Sequence, residues 1–372
     1  MTLSVSDVVK IAKRVNNSQR DYLLVNPLQA KHIPVSPSKS LRMMREVADK
    51  IAPPKEASCA VIAFAETATA IGAAVASSLG PNSSYLQTTR EDLGNAKALS
   101  FTEDHSHAVN QSIDERALAK ILDDSNLLLI VDDEFSTGKT LTHAVGAIKD
   151  NLKISSLPEI RAVSVVNRMS EEDRDQARKY GISFLSAVQI APDELVGSVS
   201  DLSTQTATPP GESQGGNFET LELTGLVPDP RFGTISKEYE EACLKIAQTT
   251  VEEYGPLFAR ATDILVLGTE ECMYPALIMG ALIESNFSAM VFAHATTRSP
   301  IGICQQDGYP IANGTKLRSF YDSNRTTYLY NLRRYDLAIV VTDAIGDIDS
   351  ATADLSSSLM QYGCPRMILV RI

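Results

Sequence analysis

An unbroken apolar run, Leu127-Leu128-Leu129-Ile130-Val131, ends in two adjacent carboxylates, Asp132 and Asp133. Large aliphatic side chains at every position leave no polar face. The segment therefore reads as a strand buried on both sides, as in a parallel sheet covered by helices. A small loop follows, Ser136-Thr137-Gly138-Lys139-Thr140, and then a helix-like stretch at 141–148. Loop amides and the helix N-terminus behind them bind phosphate. Adjacent carboxylates at a strand end accept hydrogen bonds from two neighbouring sugar hydroxyls. The parts together suit a ribose 5-phosphate.

The Gly138-Lys139-Thr140 string also invites a nucleoside-triphosphate loop. That motif needs a glycine ahead of four residues and Gly-Lys-Ser/Thr. The position is Asp133, and a carboxylate there repels a triphosphate. An ordinary buried strand with a polar turn explains the apolar run, but not two acids followed by Ser-Thr-Gly-x-Thr.

The motif resembles that of type I phosphoribosyltransferases: four apolar residues, two acids, two variable residues, two hydroxyl residues, glycine, any residue, threonine. Residues 128–140 match it without a gap. The resemblance implies that Asp132 and Asp133 hold the 2- and 3-hydroxyls of phosphoribosyl pyrophosphate (PRPP) and contact Mg²⁺. It implies that Ser136, Thr137, Gly138, Lys139 and Thr140 cradle the 5-phosphate, with the variable pair Glu134 and Phe135 alongside. Several purine-using members carry an aspartate where this chain has Ser136, which argues against a hypoxanthine-type acceptor. The strings FAETATAIG at 64–72, FTEDHSHA at 101–108 and TRSP at 297–300 resemble bacterial phosphoribosyltransferases with a C-terminal TRSP domain, which are associated with tellurium-resistance-type gene clusters. That resemblance covers nearly the whole chain. It implies a PRPP-binding domain, a small nucleobase-like acceptor and a homodimer.

A net charge of −12 opposes non-specific nucleic-acid binding, and it means a polyphosphate ligand needs local positive charge or Mg²⁺. The five cysteines have no metal-ligand spacing and read as reduced thiols. No signal pattern or membrane-spanning apolar stretch stands out, so a cytoplasmic protein is expected.

Strand-like and helix-like segments alternate through the first half: strands at 22–26, 59–65, 127–131 and 159–167, helices at 40–51, 67–79, 112–122, 141–149 and 171–180. Such alternation implies an α/β fold with a mainly parallel sheet. Ligands gather at the carboxyl ends of its strands, where Glu66, Arg90, Asp132 and Asp133 would lie. Residues 199–217 are rich in Ser, Thr, Gly and Pro and read as a linker. The expected division is a PRPP-binding domain at 1–205, a linker at 206–217 and a TRSP-type α/β domain at 218–372. The second half follows the first in outline: 264–267 then Glu270-Glu271, a helix at 275–284, a strand at 289–293, and Thr296-Thr297-Arg298 beside Thr88-Thr89-Arg90. Ser319-Phe320 pairs with Ser100-Phe101, and 337–343 with 128–132. The second domain is thus either a degenerate copy of the first or an unrelated α/β unit. The counterpart of the PRPP loop, residues 341–346, lacks the tandem acids and hydroxyl run.

Other candidates complete the site. Glu66 and Thr67 sit at a strand-to-helix turn, where family members contact pyrophosphate. Arg90 offers a guanidinium fork for phosphate. His105 and His107, beside Glu103 and Asp104, lie where the family carries a mobile loop, and 90–111 would form the lid. Lys31-His32 would line the same cleft. In the second half, Glu270, Glu271, Arg298 and Ser299 mark a separate site for an anionic ligand or a second reaction. The alternatives to phosphoribosyl transfer are a non-catalytic PRPP sensor and a bifunctional enzyme.

Overall fold

The computed structural model describes every residue except 1–2, 16–19, 54–55, 103–109, 153–156, 193, 195–198, 200 and 212–215. The described chain forms two α/β units. One holds Met43–Val196 and Pro228–Glu241; the other holds Ser6–Arg42, Gly197–Val227 and Ala242–Ile372.

The first unit is built on a six-stranded sheet. Its order is Thr234–Ile235, Ser83–Gln87, Cys59–Ala63, Leu127–Phe135, Glu159–Asn167 and Ile182–Gln189. All pairs are parallel except the edge strand Thr234–Ile235. The run Leu127–Val131 and the strand Cys59–Ala63 are buried along their whole length. Ala60, Ile62, Leu128 and Ile130 share one core with Leu118, Ile121, Val145 and Ile148 of the covering helices. On the other face, helix Thr69–Ser78 is made of small residues and lies close on the sheet. A Cβ at Gly72 would stand 2.3 Å from the Ala63 Cβ. Side-chain caps fix two helix starts: Asp114 accepts from Ala117 N and Ser170 from Asp173 N.

Among the parallel strands the second in sequence lies outside the first, and the third lies on the first strand's other side. The order therefore reverses between Cys59–Ala63 and Leu127–Phe135, and their carboxyl ends open a crevice. The connection from the second to the third strand carries an antiparallel hairpin, Ala98–Thr102 with Asn110–Asp114. The hairpin corrects the helix expected at 112–122, which begins only at Glu115. His105 and His107 lie outside the described residues.

The second unit has a five-stranded, wholly parallel sheet: Phe218–Glu222, Met367–Arg371, Leu337–Thr342, Asp263–Gly268 and Met290–Ala295. Ile264 and Val266 join one core with Met279 and Ile283, while Leu265 and Leu267 join another with Leu355 and Leu359. A hairpin, Gly314–Arg318 with Thr326–Tyr330, lies in the connection from strand Met290–Ala295 to strand Leu337–Thr342.

Two segments depart from the division read in the sequence. Strand Tyr22–Val25 pairs with Lys10–Lys13, and Leu23 and Val25 pack with Ala207, Ile301, Ile311 and Tyr330, so 6–42 belong to the second unit. The stretch at 205–208 is also part of that unit's structure: Gln205 N donates to Ile303 O at 2.9 Å, and Lys316 N to Thr208 O at 2.8 Å. Polar composition marks a segment without a core of its own, but does not exclude backbone pairing with another strand.

His294, in strand Met290–Ala295, is buried and donates from Nε2 to Tyr330 O at 2.7 Å. Burial lowers its pKa from the ordinary 6.5 to about 4. The unfolded chain therefore takes up a proton that the folded chain refuses, and stability falls as pH drops from 6.5 towards 4. Urea denaturation between pH 7 and 5 should show this loss, and His294→Gln should flatten it.

Candidate active site

Asp132 and Asp133 stand at the crevice because two neighbouring ladders end at different places. Strand Cys59–Ala63 pairs with Leu127–Phe135 only as far as Val131. On the other side the strand Glu159–Asn167 stays paired through Phe135. The two acids therefore lie within a strand, past the expected end at Val131, and one flank of that strand is open. The Asp132 side chain folds onto the next amide, accepting from Asp133 N at 2.9 Å. Asp133 accepts from the Thr67 hydroxyl at 2.9 Å. Burial raises the Asp133 pKa above the usual carboxylate value and neighbouring Glu134 adds to the rise, while Asp132 and Thr67 oppose it. Glu134 itself pairs with Arg168 at 2.5 Å, so it serves to fix the strand.

Past Phe135 the chain turns through Ser136 and Thr137 to Gly138, whose φ is 70°. An L side chain there would be strained, and its Cβ would stand 2.4 Å from the Met169 Cε. Gly138 caps helix Lys139–Asn151 without placing a side chain over its N-terminus. The Thr137 hydroxyl accepts weakly from Lys139 N, at 3.4 Å. Ser136, Thr137 and Thr140 are partly exposed and Lys139 is exposed, so hydroxyls and a cation surround the helix start.

The facing wall comes from the turn after Cys59–Ala63. Phe64 N donates to Val131 O at 3.0 Å, the last tie between the two strands. Ala65 N then donates to the Thr88 hydroxyl at 2.7 Å, and Ala65 O accepts from Gln111 Nε2 at 2.8 Å. Thr88 and Gln111 are hydrogen-bonded to each other. The Ala65–Glu66 peptide is cis. Glu66 is buried, and Thr67 is partly exposed beside Asp133. Arg90 follows Thr89, whose backbone bridges to Ser112 of the hairpin, and is half-buried. Sequence reasoning missed Thr88 and Gln111 as supports of this turn. The repeated Thr-Thr-Arg string was the available signal for Thr88; Gln111 had none.

Glu66, Thr67, Asp132, Asp133 and the 136–140 loop thus meet around one crevice. Lys31 and His32 lie in the second unit, where both are buried and Lys31 Nζ donates to Glu270 O at 2.7 Å. Among the described residues, no group of three or more His, Cys, Asp or Glu is arranged to hold a metal ion.

The second-half candidates do assemble. The Glu270 carboxylate is fully buried and accepts from Arg298 Nε at 2.7 Å, Arg325 at 3.0 Å and the Ser319 hydroxyl at 2.5 Å. Its φ of 46° puts a non-glycine residue in the left-handed region, held there by Thr296 Oγ1 accepting from Glu270 N at 2.9 Å. Glu271 lies 3.6 Å from Arg298. Tyr321 donates to Asp343. Ser299 is placed by the turn, its N–H donating to Thr297 Oγ1 at 3.2 Å. Arg325 and Tyr321 sit in and beside a hairpin turn and carry no motif, while Ser319 was visible in the sequence only as half of a Ser-Phe pair.

A carboxyl with a raised folded pKa costs stability once it is ionised. The cost is absent below its unfolded pKa and complete above its folded pKa. Asp133→Asn should therefore raise the melting temperature of the ligand-free protein at pH 8, with the gain shrinking as pH approaches 4. Gly138→Ala should lower stability by about 1 kcal/mol through its backbone.

A phosphoribosyl transferase family profile matches residues 8–191, and a TRSP domain profile, described as C-terminal to that transferase domain, matches 229–359. No curated protein matches the chain. Similar solved structures include adenine phosphoribosyltransferase from Rhodothermus marinus, 10% identical, covering 50% of this chain and 96% of that one, with a TM-score of 0.36. The Giardia lamblia adenine enzyme complexed with 9-deazaadenine is 17% identical, with 51% and 99% covered and a TM-score of 0.36. Orotate phosphoribosyltransferase from Aeropyrum pernix is 14% identical, with 50% and 89% covered and a TM-score of 0.32. The two profiles account for most of the chain, which belongs to the phosphoribosyl transferases that carry a C-terminal TRSP domain and is a pentosyltransferase.

Proposed function

We propose that the first unit transfers ribose 5-phosphate from PRPP to a nitrogen of a nucleobase-like acceptor, releasing pyrophosphate. The observation that carries this reading is the pair Asp132 and Asp133 on the open flank of the switch-point strand, one short turn before a glycine-capped helix N-terminus. A ribose laid across the two acids places its 5-phosphate over the amides of Gly138 and Lys139.

In the reaction the bond from ribose C1 to the pyrophosphate oxygen breaks, and a bond to the acceptor nitrogen forms on the opposite face. C1 passes through an oxocarbenium-like state, as in other glycosyl transfers. Asp132 and Asp133 orient the ribose, with Thr67 fixing the Asp133 carboxylate. Ser136, Thr137, Gly138, Lys139 and Thr140 anchor the phosphate. The turn at Glu66 and Thr67, with the Arg90 fork, faces the departing pyrophosphate. Ser136 in place of aspartate weighs against a hypoxanthine-like acceptor.

Two partly exposed carboxylates fit Mg²⁺, which is commonly held by one or two acids and completed by substrate oxygens. Mg²⁺ bound by Asp132 and Asp133 would neutralise charge on the leaving pyrophosphate. Water must be kept from C1. The hairpin Ala98–Thr102 with Asn110–Asp114 supports a lid: Leu99 and Phe101 are buried, and Thr102 Oγ1 lies 3.1 Å from His143 Nδ1 on the phosphate-loop helix.

The test is incubation with PRPP, Mg²⁺ and a panel of bases while following pyrophosphate. Base-dependent release is expected, and Asp132→Asn with Asp133→Asn should reduce it by about a hundredfold or more. Release that survives the double substitution overturns the assignment. PRPP binding with no turnover of any base would instead identify a sensor.

A further inference from the structure

The second unit repeats the first in register, residue by residue, around its own switch point. Ala63 lies opposite Val131 and Gln87; Gly268 lies opposite Val341 and Ala295. Counting from these partners, Glu66 corresponds to Glu271, Arg90 to Arg298, Asp132 to Thr342 and Asp133 to Asp343. The hydrogen bonds agree. Thr88 N donates to Ala63 O at 2.9 Å and Thr296 N to Gly268 O at 3.0 Å. The hydroxyls of Thr88 and Thr296 accept from the turn amides of Ala65 and Glu270 at 2.7 and 2.9 Å. Thr89 and Thr297 each form an antiparallel bridge to a hairpin strand, at Ser112 and Tyr328. This register sets Phe101 against Leu317, not against the Phe320 expected from the sequence.

The copy differs where the first unit would hold phosphate. Residues 344–348, Ala-Ile-Gly-Asp-Ile, contain no hydroxyl. Asp347 Oδ1 accepts from Asp349 N at 3.0 Å, so a carboxylate already occupies the start of helix Asp349–Gln361. That acid repels a phosphate. One ribose acid is retained: Asp343 is partly exposed and receives the Tyr321 hydroxyl, as Asp133 receives that of Thr67. Around it stand Glu270 and Glu271 against Arg298 and Arg325. The surroundings are polar but do not favour an anion.

We propose that this position in the second unit is a binding site for the ribosyl group of an unphosphorylated nucleoside, with Asp343 accepting from its vicinal hydroxyls and Arg298 and Glu271 beside it. The proposal rests on reading Asp132 and Asp133 as the ribose acids of the first unit. The test uses the full chain with Asp132→Asn and Asp133→Asn, which silence the first site, and titration calorimetry with adenosine and uridine, which share only the ribosyl group. Both should bind. Removing the diol (2′-deoxyadenosine), adding a 5′-phosphate (adenosine 5′-monophosphate) or adding Asp343→Asn should each weaken binding by about tenfold or more. Arg298→Lys, which keeps the charge but loses the fork, should also weaken it should Asp343→Asn fail to fold. If neither nucleoside binds this background, or the deoxynucleoside or monophosphate binds as well as adenosine, the inference is wrong. PRPP titrated into the unsubstituted chain separates the two readings, since its failure to bind removes the first assignment alone when adenosine still depends on Asp343.

Discussion

Where the strand order of a parallel sheet reverses, two neighbouring strands lead away in opposite directions and their last backbone groups lose ladder partners. A buried amide left unpaired costs about 1–3 kcal/mol. In the first unit this demand falls on Ala65, and it is met by the Thr88 hydroxyl on the N–H and Gln111 on the carbonyl. These two side chains come from the ends of different elements and bond to each other. They fix the turn that presents Glu66 and Thr67, and so hold one wall of the crevice opposite Asp132 and Asp133.

Close packing sets the other dimension. Helix Thr69–Ser78 begins just past that turn, and its distance from the sheet is set by Gly72 against Ala63. Any larger residue at 72 would push the helix outward and carry Thr67 away from Asp133, to which it is bonded at 2.9 Å. Asp133 is held partly out of water, and its ionised form costs stability for that reason.

Local pattern made part of this visible in the sequence. The apolar run 127–131, the tandem acids and the Ser-Thr-Gly loop each report on their own neighbourhood, and the strand, the loop and the helix lie where they were read, within a few residues. The strand's extension to Phe135 was not legible, because it is imposed by a partner strand 32 residues away at Glu159–Asn167. The placement of 6–42 in the second unit was also hidden: Leu23 and Val25 look the same whichever core receives them. Gln111 and Arg325 carry no local pattern, and their roles arise only when hairpins fold back over turns distant in sequence.

The two units share one backbone plan around their strand reversals. The turn held by a threonine hydroxyl, the arginine that follows it and the hairpin are common to both, and in each the threonine hydroxyl accepts from a turn amide at the strand reversal. The segments after strands Leu127–Phe135 and Leu337–Thr342 are under no such demand. At the first helix start the Thr137 hydroxyl accepts weakly from Lys139 N, whereas at the matching one a carboxylate, Asp347, accepts from Asp349 N. A helix N-terminus must be satisfied by something. Supplying that group from the chain stabilises the helix start and sets a negative charge where an anion would otherwise be favoured.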